Sequence, residues 1–280
     1  MSRKYTEVAI AYDFDGTLVP GNMQEFDFIP ALGMKPKDFW AAATQLARDC
    51  DGDPIQAYLN LMLREANSKQ VAIRRKDMIA FGASVELFAG VADWFDRINA
   101  YGRERELAIK HYIVSSGIKE MIEGSPIAGH FEHVYASAFM YDQNEVATAP
   151  SVALNYTTKT QCLFRINKGS VHLWDNKLIN AYMAPEDRPV PFSRMMYIGD
   201  GETDVPCMRL VKEQGGHAMA VYKPRNRNGK DVAERLHTEG RVNFVAQADY
   251  RDGKPIDQQV KAVLDRVAAD VVIERLGRLG

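Results

Sequence analysis

Apolar runs too short for helices recur along the chain: VAIAY (Val8–Tyr12) ahead of Asp13, HYIVSS from His111, HVYASAF from His133, RMMYIG from Arg194 and HAMAVY from His217. Unbroken apolar runs of this kind read as strands buried on both faces. Between most of them lie helical patterns such as VADWFDRINAYGRERE from Val91. The C-terminal IDQQVKAVLDRVAADVVIERL from Ile256 predicts a helix covering the sheet. Strands alternating with helices predict an α/β fold with a mainly parallel sheet and helices on both faces. Residues 20–85 break the rhythm. They carry helical patterns from Pro36 and Pro54, with the prolines at first-turn positions, and no long strand. An inserted helical lobe is expected there, because an ordinary crossover needs far fewer residues.

The length of 280 residues and a hydrophobic fraction of 46% suit one large domain or one domain with an inserted lobe. With 35 basic and 37 acidic residues the net charge is -2, so nothing marks a nucleic-acid or anionic-membrane partner. The start lacks the apolar stretch of a secretory signal, and no window approaches the roughly 18 apolar residues of a membrane span. Cys50, Cys162 and Cys207 are too few and scattered for a disulfide framework or a zinc knuckle. A cytoplasmic protein acting on a small molecule is expected.

The chemistry gathers at strand ends, where open parallel sheets bind ligands. Asp13 and Asp15 follow the first strand, and Gly16 allows a sharp turn behind them. In MMYIGDGETD a second strand ends in Asp200, flanked by glycines, with Asp204 four residues on. Carboxylates at such ends are costly unless paired or bound to a hard cation such as magnesium. They can also divide labour as nucleophile and proton carrier.

DFDGT (Asp13–Thr17), a serine closing an apolar strand (Ser115), a downstream lysine and GDGETD (Gly199–Asp204) occur in one order over nearly the whole chain. In these motifs the chain resembles the haloacid dehalogenase-like superfamily of phosphohydrolases, in its phosphoserine-phosphatase-like branch. The resemblance implies a Rossmann-like core of residues 1–19 and 86–280, with residues 20–85 as a smaller all-helical cap. The long interval between Asp13 and Ser115 and the short one between Ser115 and the lysine fit a cap inserted at the first site only. Asp13 would attack phosphorus to form an aspartyl-phosphate. Asp15 would protonate the leaving oxygen and then assist water. Mg2+ would be held by Asp13, the backbone carbonyl of Asp15 and Asp200, with Asp204 as direct or indirect support. Ser115 would donate to a phosphoryl oxygen, and Thr17, Ser116 and Gly117 join it as phosphate-binding residues. Dehalogenases of the superfamily lack the second carboxylate, so Asp15 favours phosphate chemistry.

Two lysines fit the remaining motif. Lys159 precedes a helical pattern, as this branch would place it, and is preferred. Lys168, followed by Gly169, matches another branch. The branch's substrate-amine-binding glutamate has no clear counterpart: Asn22 stands nine residues after Asp13 and Glu25 is displaced. Met23, Glu25, Phe26 and Phe28 are candidate selectors of substrate, with ordinary cap–core packing the alternative for the aromatics. The expected activity is magnesium-dependent hydrolysis of a small phosphorylated metabolite. Phosphotransferase or mutase chemistry through the same intermediate, and a silent phospho-ligand binding protein, are the alternatives.

Other runs carry less. DCDGDP (Asp49–Pro54) has proline where a calcium loop needs glycine, so it reads as a capping turn. HFEH (His130–His133) flanks a strand start and reads as structural. KPRNRNG from Lys223 reads as a solvated loop, or alternatively as an attractor of anionic substrate near the site. Arg74, Arg75 and Lys76 read as a solvated helix start.

Overall fold

A computed structural model describes residues 5–277. Its single sheet has the order β4-β3-β2-β1-β5-β6-β7. The strands are β1 (Thr6–Tyr12), β2 (Leu107–Ile118), β3 (Phe131–Tyr141), β4 (Ala147–Val152), β5 (Met195–Gly199), β6 (His217–Tyr222) and β7 (Phe244–Gln247). All neighbours pair in parallel except β3 and β4. The fold is therefore the expected Rossmann-like α/β core.

Two strands lie outside the sequence-based set. β4 carries Pro150, which cannot donate to a ladder and is tolerated because β4 is an edge strand. β7 is only four residues long, and it closes the opposite edge.

Residues 20–85 hold a 3₁₀ turn (Met23–Glu25) and helices α1 (Phe28–Ala31), α2 (Pro36–Asp49), α3 (Pro54–Ser68) and α4 (Arg75–Ala83). This helical segment sits between β1 and β2. It meets the sheet edge through an isolated bridge from Arg74 to Val146 and a hydrogen bond from the Ala147 amide of β4 to the Ile73 carbonyl at 2.8 Å. The remaining helices are α5 (Val91–Arg103), α6 (Lys119–Glu123), α7 (Lys159–Lys168), α8 (Lys177–Asn180), α9 (Val205–Glu213), α10 (Arg227–Thr238) and α11 (Pro255–Gly277). Among the described residues no helix is long and apolar enough to cross a membrane.

Strand periodicity splits the core in two. Val8, Ile10 and Tyr12 join Trp94, Phe95 and the apolar stripe Ile256, Val260, Leu264, Val267 of α11 on one face. Ala9 and Ala11 face Cys162, Leu163, Cys207 and Met208 of α7 and α9 on the other. From β1 the chain moves outward through β2 and β3, then returns to β5 on the other side. The crevice outside the C-terminal ends of β1 and β5 is thus the topological switch point where such sheets bind ligands.

Candidate active site

The β1 ladder runs on for one residue, with the Asp13 amide donating to the Ile198 carbonyl at 2.9 Å. This seats Asp13 at the strand end. Its Oδ1 accepts from the Phe14 amide at 2.8 Å. Phe14 turns inward and is fully buried, so the chain folds over a tight loop in which the Leu18 amide bonds the Phe14 carbonyl. Gly16, at φ 75°, presses on the second acidic loop: a Cβ there would lie 2.0 Å from Asp200 Oδ2. Asp15 leans toward the helical segment, and its Oδ1 accepts from the Met23 amide at 3.0 Å.

Lys159, the first residue of α7, is completely buried. Its Nζ donates to Asp204 Oδ1 at 2.8 Å and lies 3.3 Å from Asp13 Oδ1. Tyr197 of β5 donates to the same Asp204 oxygen at 2.7 Å. Asp204 Oδ2 is buried with no hydrogen-bond partner. Lys168, at the other end of α7, spends its ammonium on the Ile179 and Ala181 carbonyls at 2.7 and 2.6 Å. Only Lys159 of the two therefore reaches the acidic cluster.

The carboxylates repel one another in a largely buried site. Burial and then the charge of Asp204 raise Asp13 to about 6, against the pull of Lys159 and Ser115. Burial and the charge of Asp13 push Asp15 well above the carboxylate range. Asp200 is pushed up by burial and by Asp204 and Asp13. Burial works to lower Lys159, but Asp13 and Asp204 outweigh it and hold the ammonium charged. One lysine does not balance this cluster. Oxygens of Asp13, Asp200 and Asp204 lie within 4.8 Å of one another, a spacing that suits one shared cation.

A cavity of about 430 Å³ opens from this point. Asp13, Asp15, Ser115, Ser116, Gly117, Lys159 and Asp200 line it. The Ser115 hydroxyl is buried and accepts from the Gly117 amide at 3.1 Å. Two other residues singled out in the sequence do not reach the wall. Asp204 stands behind Lys159, and Thr17 is enclosed beneath the loop, its hydroxyl unpartnered and its carbonyl accepting from Tyr250 at 2.9 Å. Of the four candidate selectors only Glu25 lines the cavity. Met23 and Phe28 are buried in the core, and Phe26 faces solvent.

Much of the rest of the wall escapes sequence reasoning. Gln24, Trp40, Ile55 and Tyr58 come from the helical segment, and Thr203, Lys223 and Asn226 from the core loops. Trp40 Nε1 and Asn22 Nδ2 both donate to Glu25 Oε1, at 2.6 and 2.8 Å. The Tyr58 hydroxyl donates to the Ser116 carbonyl at 2.6 Å. Lys223, from the basic KPRNRNG run, donates to the Pro20 carbonyl at 3.0 Å across the mouth. Thr203 lies within the GDGETD motif and Lys223 and Asn226 within the basic run, while the four residues of the helical segment carry no sequence signal.

A profile of haloacid dehalogenase-like hydrolases matches residues 10–209. An uncharacterized protein of Borreliella burgdorferi is 28% identical over 282 residues, covering 90% of this chain and 95% of its own. Among solved structures, a phospho-aspartyl intermediate analogue of phosphoserine phosphatase is similar with a TM-score of 0.53 at 14% identity, over 92% of this chain and 99% of that one. A probable phosphoserine phosphatase from Vibrio cholerae has a TM-score of 0.55 at 12% identity, over 96% and 69%. A HAD family hydrolase from Salmonella enterica subsp. enterica serovar Typhi has a TM-score of 0.52 at 18% identity, over 79% of this chain but only 64% of its own, less than two thirds of its length. At such identities the structural likeness is one of fold. The profile itself runs from β1 into α9 and spans both acidic loops, Ser115 and Lys159. The chain belongs to the haloacid dehalogenase-like hydrolases.

Proposed function

We propose that this hydrolase is a magnesium-dependent phosphatase of a small phosphorylated metabolite, working through an aspartyl-phosphate on Asp13. The observation that carries the reading is the convergence of Asp13, Lys159 and the Asp200–Asp204 loop at the closed end of one cavity. The donor set fits a hard dication: three carboxylates share one small volume, and Asp204 keeps a buried oxygen without a partner. Asp13 and Asp200 would hold the ion, with the Asp15 carbonyl and Asp204 in support. When bound, magnesium neutralises charge on the phosphoryl oxygens and on the carboxylates.

The chain's own groups divide the remaining work. The Phe14 amide and the Lys159 ammonium hold Asp13 Oδ1, which leaves its second oxygen to attack phosphorus. Lys159 and the Ser115 hydroxyl steady the phosphoryl oxygens. Asp15, held by the Met23 amide and raised in pKa, can carry the proton that the leaving oxygen needs and take one from the attacking water afterwards. Residues 20–85 act as a cap whose Trp40, Ile55 and Tyr58 exclude water and meet the leaving group. Lys223 at the mouth attracts the anion.

The test is phosphate release from para-nitrophenyl phosphate and a metabolite panel, with and without magnesium, for the native protein beside Asp13→Asn. Turnover that requires magnesium and falls more than about a thousandfold in the variant is expected. A folded Asp13→Asn protein that keeps its turnover would overturn the nucleophile. Transfer to an added alcohol exceeding phosphate release would replace hydrolysis by phosphotransfer.

A further inference from the structure

The Asp49–Pro54 run is a capping turn, and its last carboxylate does more than cap. Asp53 Oδ1 accepts from the Gln56 amide at 2.9 Å, closing the N-terminus of α3. Its Oδ2 accepts from Asn155 Nδ2 at 2.6 Å. Asn155 lies far along the chain, in the turn leading into α7. Its Oδ1 accepts from the Thr157 and Thr158 amides at 3.0 and 2.8 Å, and its carbonyl accepts from the Lys159 amide at 2.9 Å. One side-chain hydrogen bond thus joins the capped start of α3 to the capped start of the helix that presents Lys159.

The position of that bond gives it a consequence. α3 supplies Ile55 and Tyr58 to the cavity wall, both within its first turn and a half after Asp53. Tyr58 ties α3 to the Ser116 carbonyl on the serine side, and Asp53 ties it to the lysine side. α3 therefore bridges the end of β2 and the turn into α7, which flank the phosphate end. Both polar partners are half-buried, where a hydrogen bond to a carboxylate is stronger than an exposed one.

We propose that Asp53 and Asn155 form a latch that positions the α3 wall over the phosphate end, and that this pair sets how tightly substrate is held. The inference rests on the phosphatase reading for its kinetic consequence only; the latch itself is a matter of structure. Neither residue touches the reacting atoms, so both are positioning residues. Asn155 holds the start of α7 through Oδ1 and its carbonyl, not through the latch bond. Breaking the latch frees the wall and leaves Lys159 in place.

A side-chain swap isolates the bond. In Asp53→Asn the N-cap survives, because asparagine caps as well as aspartate, but two amide donors now face each other. In Asn155→Asp the cap of α7 survives and two carboxylates face each other. Asp53→Asn combined with Asn155→Asp restores one donor and one acceptor, both caps and the total charge. Amide hydrogen exchange along α3 and steady-state kinetics on the best panel substrate are the readouts. Each single variant should speed exchange in the Ile55–Tyr58 stretch and raise KM by roughly fivefold to tenfold, about what the loss of one ordinary hydrogen bond allows. kcat should stay within about twofold, and the double variant should return both readouts to native values. Unchanged exchange and KM in the single variants, or a folded double variant as impaired as they are, would overturn the latch. If the native protein turns over no phosphate ester, the phosphatase reading falls while the exchange arm still decides the latch.

Discussion

Trp94, Tyr12, His111 and Asn99 form a buried relay at the residue scale. Trp94 Nε1 donates to the Tyr12 hydroxyl at 2.9 Å, which stands 3.0 Å from His111 Nδ1, while His111 Nε2 stands 3.1 Å from Asn99 Oδ1. The Asn99 oxygen only accepts, so the network assigns the proton to Nε2 and makes Nδ1 the acceptor from Tyr12. Burial, with the charge of His130, lowers His111 from 6.5 to about 3. The unfolded chain therefore binds a proton near pH 6.5 that the folded chain refuses until about pH 3. Stability from this neutral histidine is complete above pH 6.5 and is lost as pH falls toward 3, at about 1.4 kcal/mol per pH unit. Denaturant titrations at pH 6.5 and pH 5 should show the native protein losing about 1.6 kcal/mol more than His111→Gln. Equal losses would refute the assignment. Residue-scale legibility was uneven. Asp13, Asp15, Asp200 and Asp204 stand out because charge at the end of an apolar run is conspicuous. In the sequence, the resemblance alone favours Lys159 over Lys168, since they open and close the same helix and tertiary packing decides which end faces the carboxylates.

At the scale of elements, the helical segment is fastened to the core by backbone contact. α4 crosses α6 at Gly82 and Gly124: a Cβ on Gly82 would fall 1.9 Å from the Met121 carbonyl oxygen, and one on Gly124 1.9 Å from that of Ile79. Glycine lets the two backbones touch there. Gly82→Ala gains about 1 kcal/mol of helix propensity but must push the crossing apart, and overpacking of this kind typically costs about 1–3 kcal/mol. A net fall in the urea midpoint is expected; a variant as stable as the native protein would show that the crossing can give. The central strands were legible because burial on both faces leaves unbroken apolar runs. β4 and β7 were not, since an edge strand needs only one partner and can be short or carry proline.

On the scale of the whole molecule, a parallel sheet whose order reverses beside β1 brings two acidic loops into one crevice, and the fold bears the cost of their repulsion. A dication should relieve that cost. Raising magnesium to about 100 times its dissociation constant should add about 2.7 kcal/mol, several degrees of melting temperature for a chain of this size. Asp200→Asn should melt higher than the native protein without magnesium and lose most of the shift with it. A native protein indifferent to magnesium would remove the cation from the site. The sequence by itself determined the α/β class, the central strands and the acidic residues at their ends, because strand periodicity and charge placement are local properties. The tertiary structure alone decided the edge strands, the wall built by Gln24, Trp40 and Tyr58, and the Asp53–Asn155 bond. Each of these depends on how distant elements cross, and a crossing leaves no periodicity in either partner.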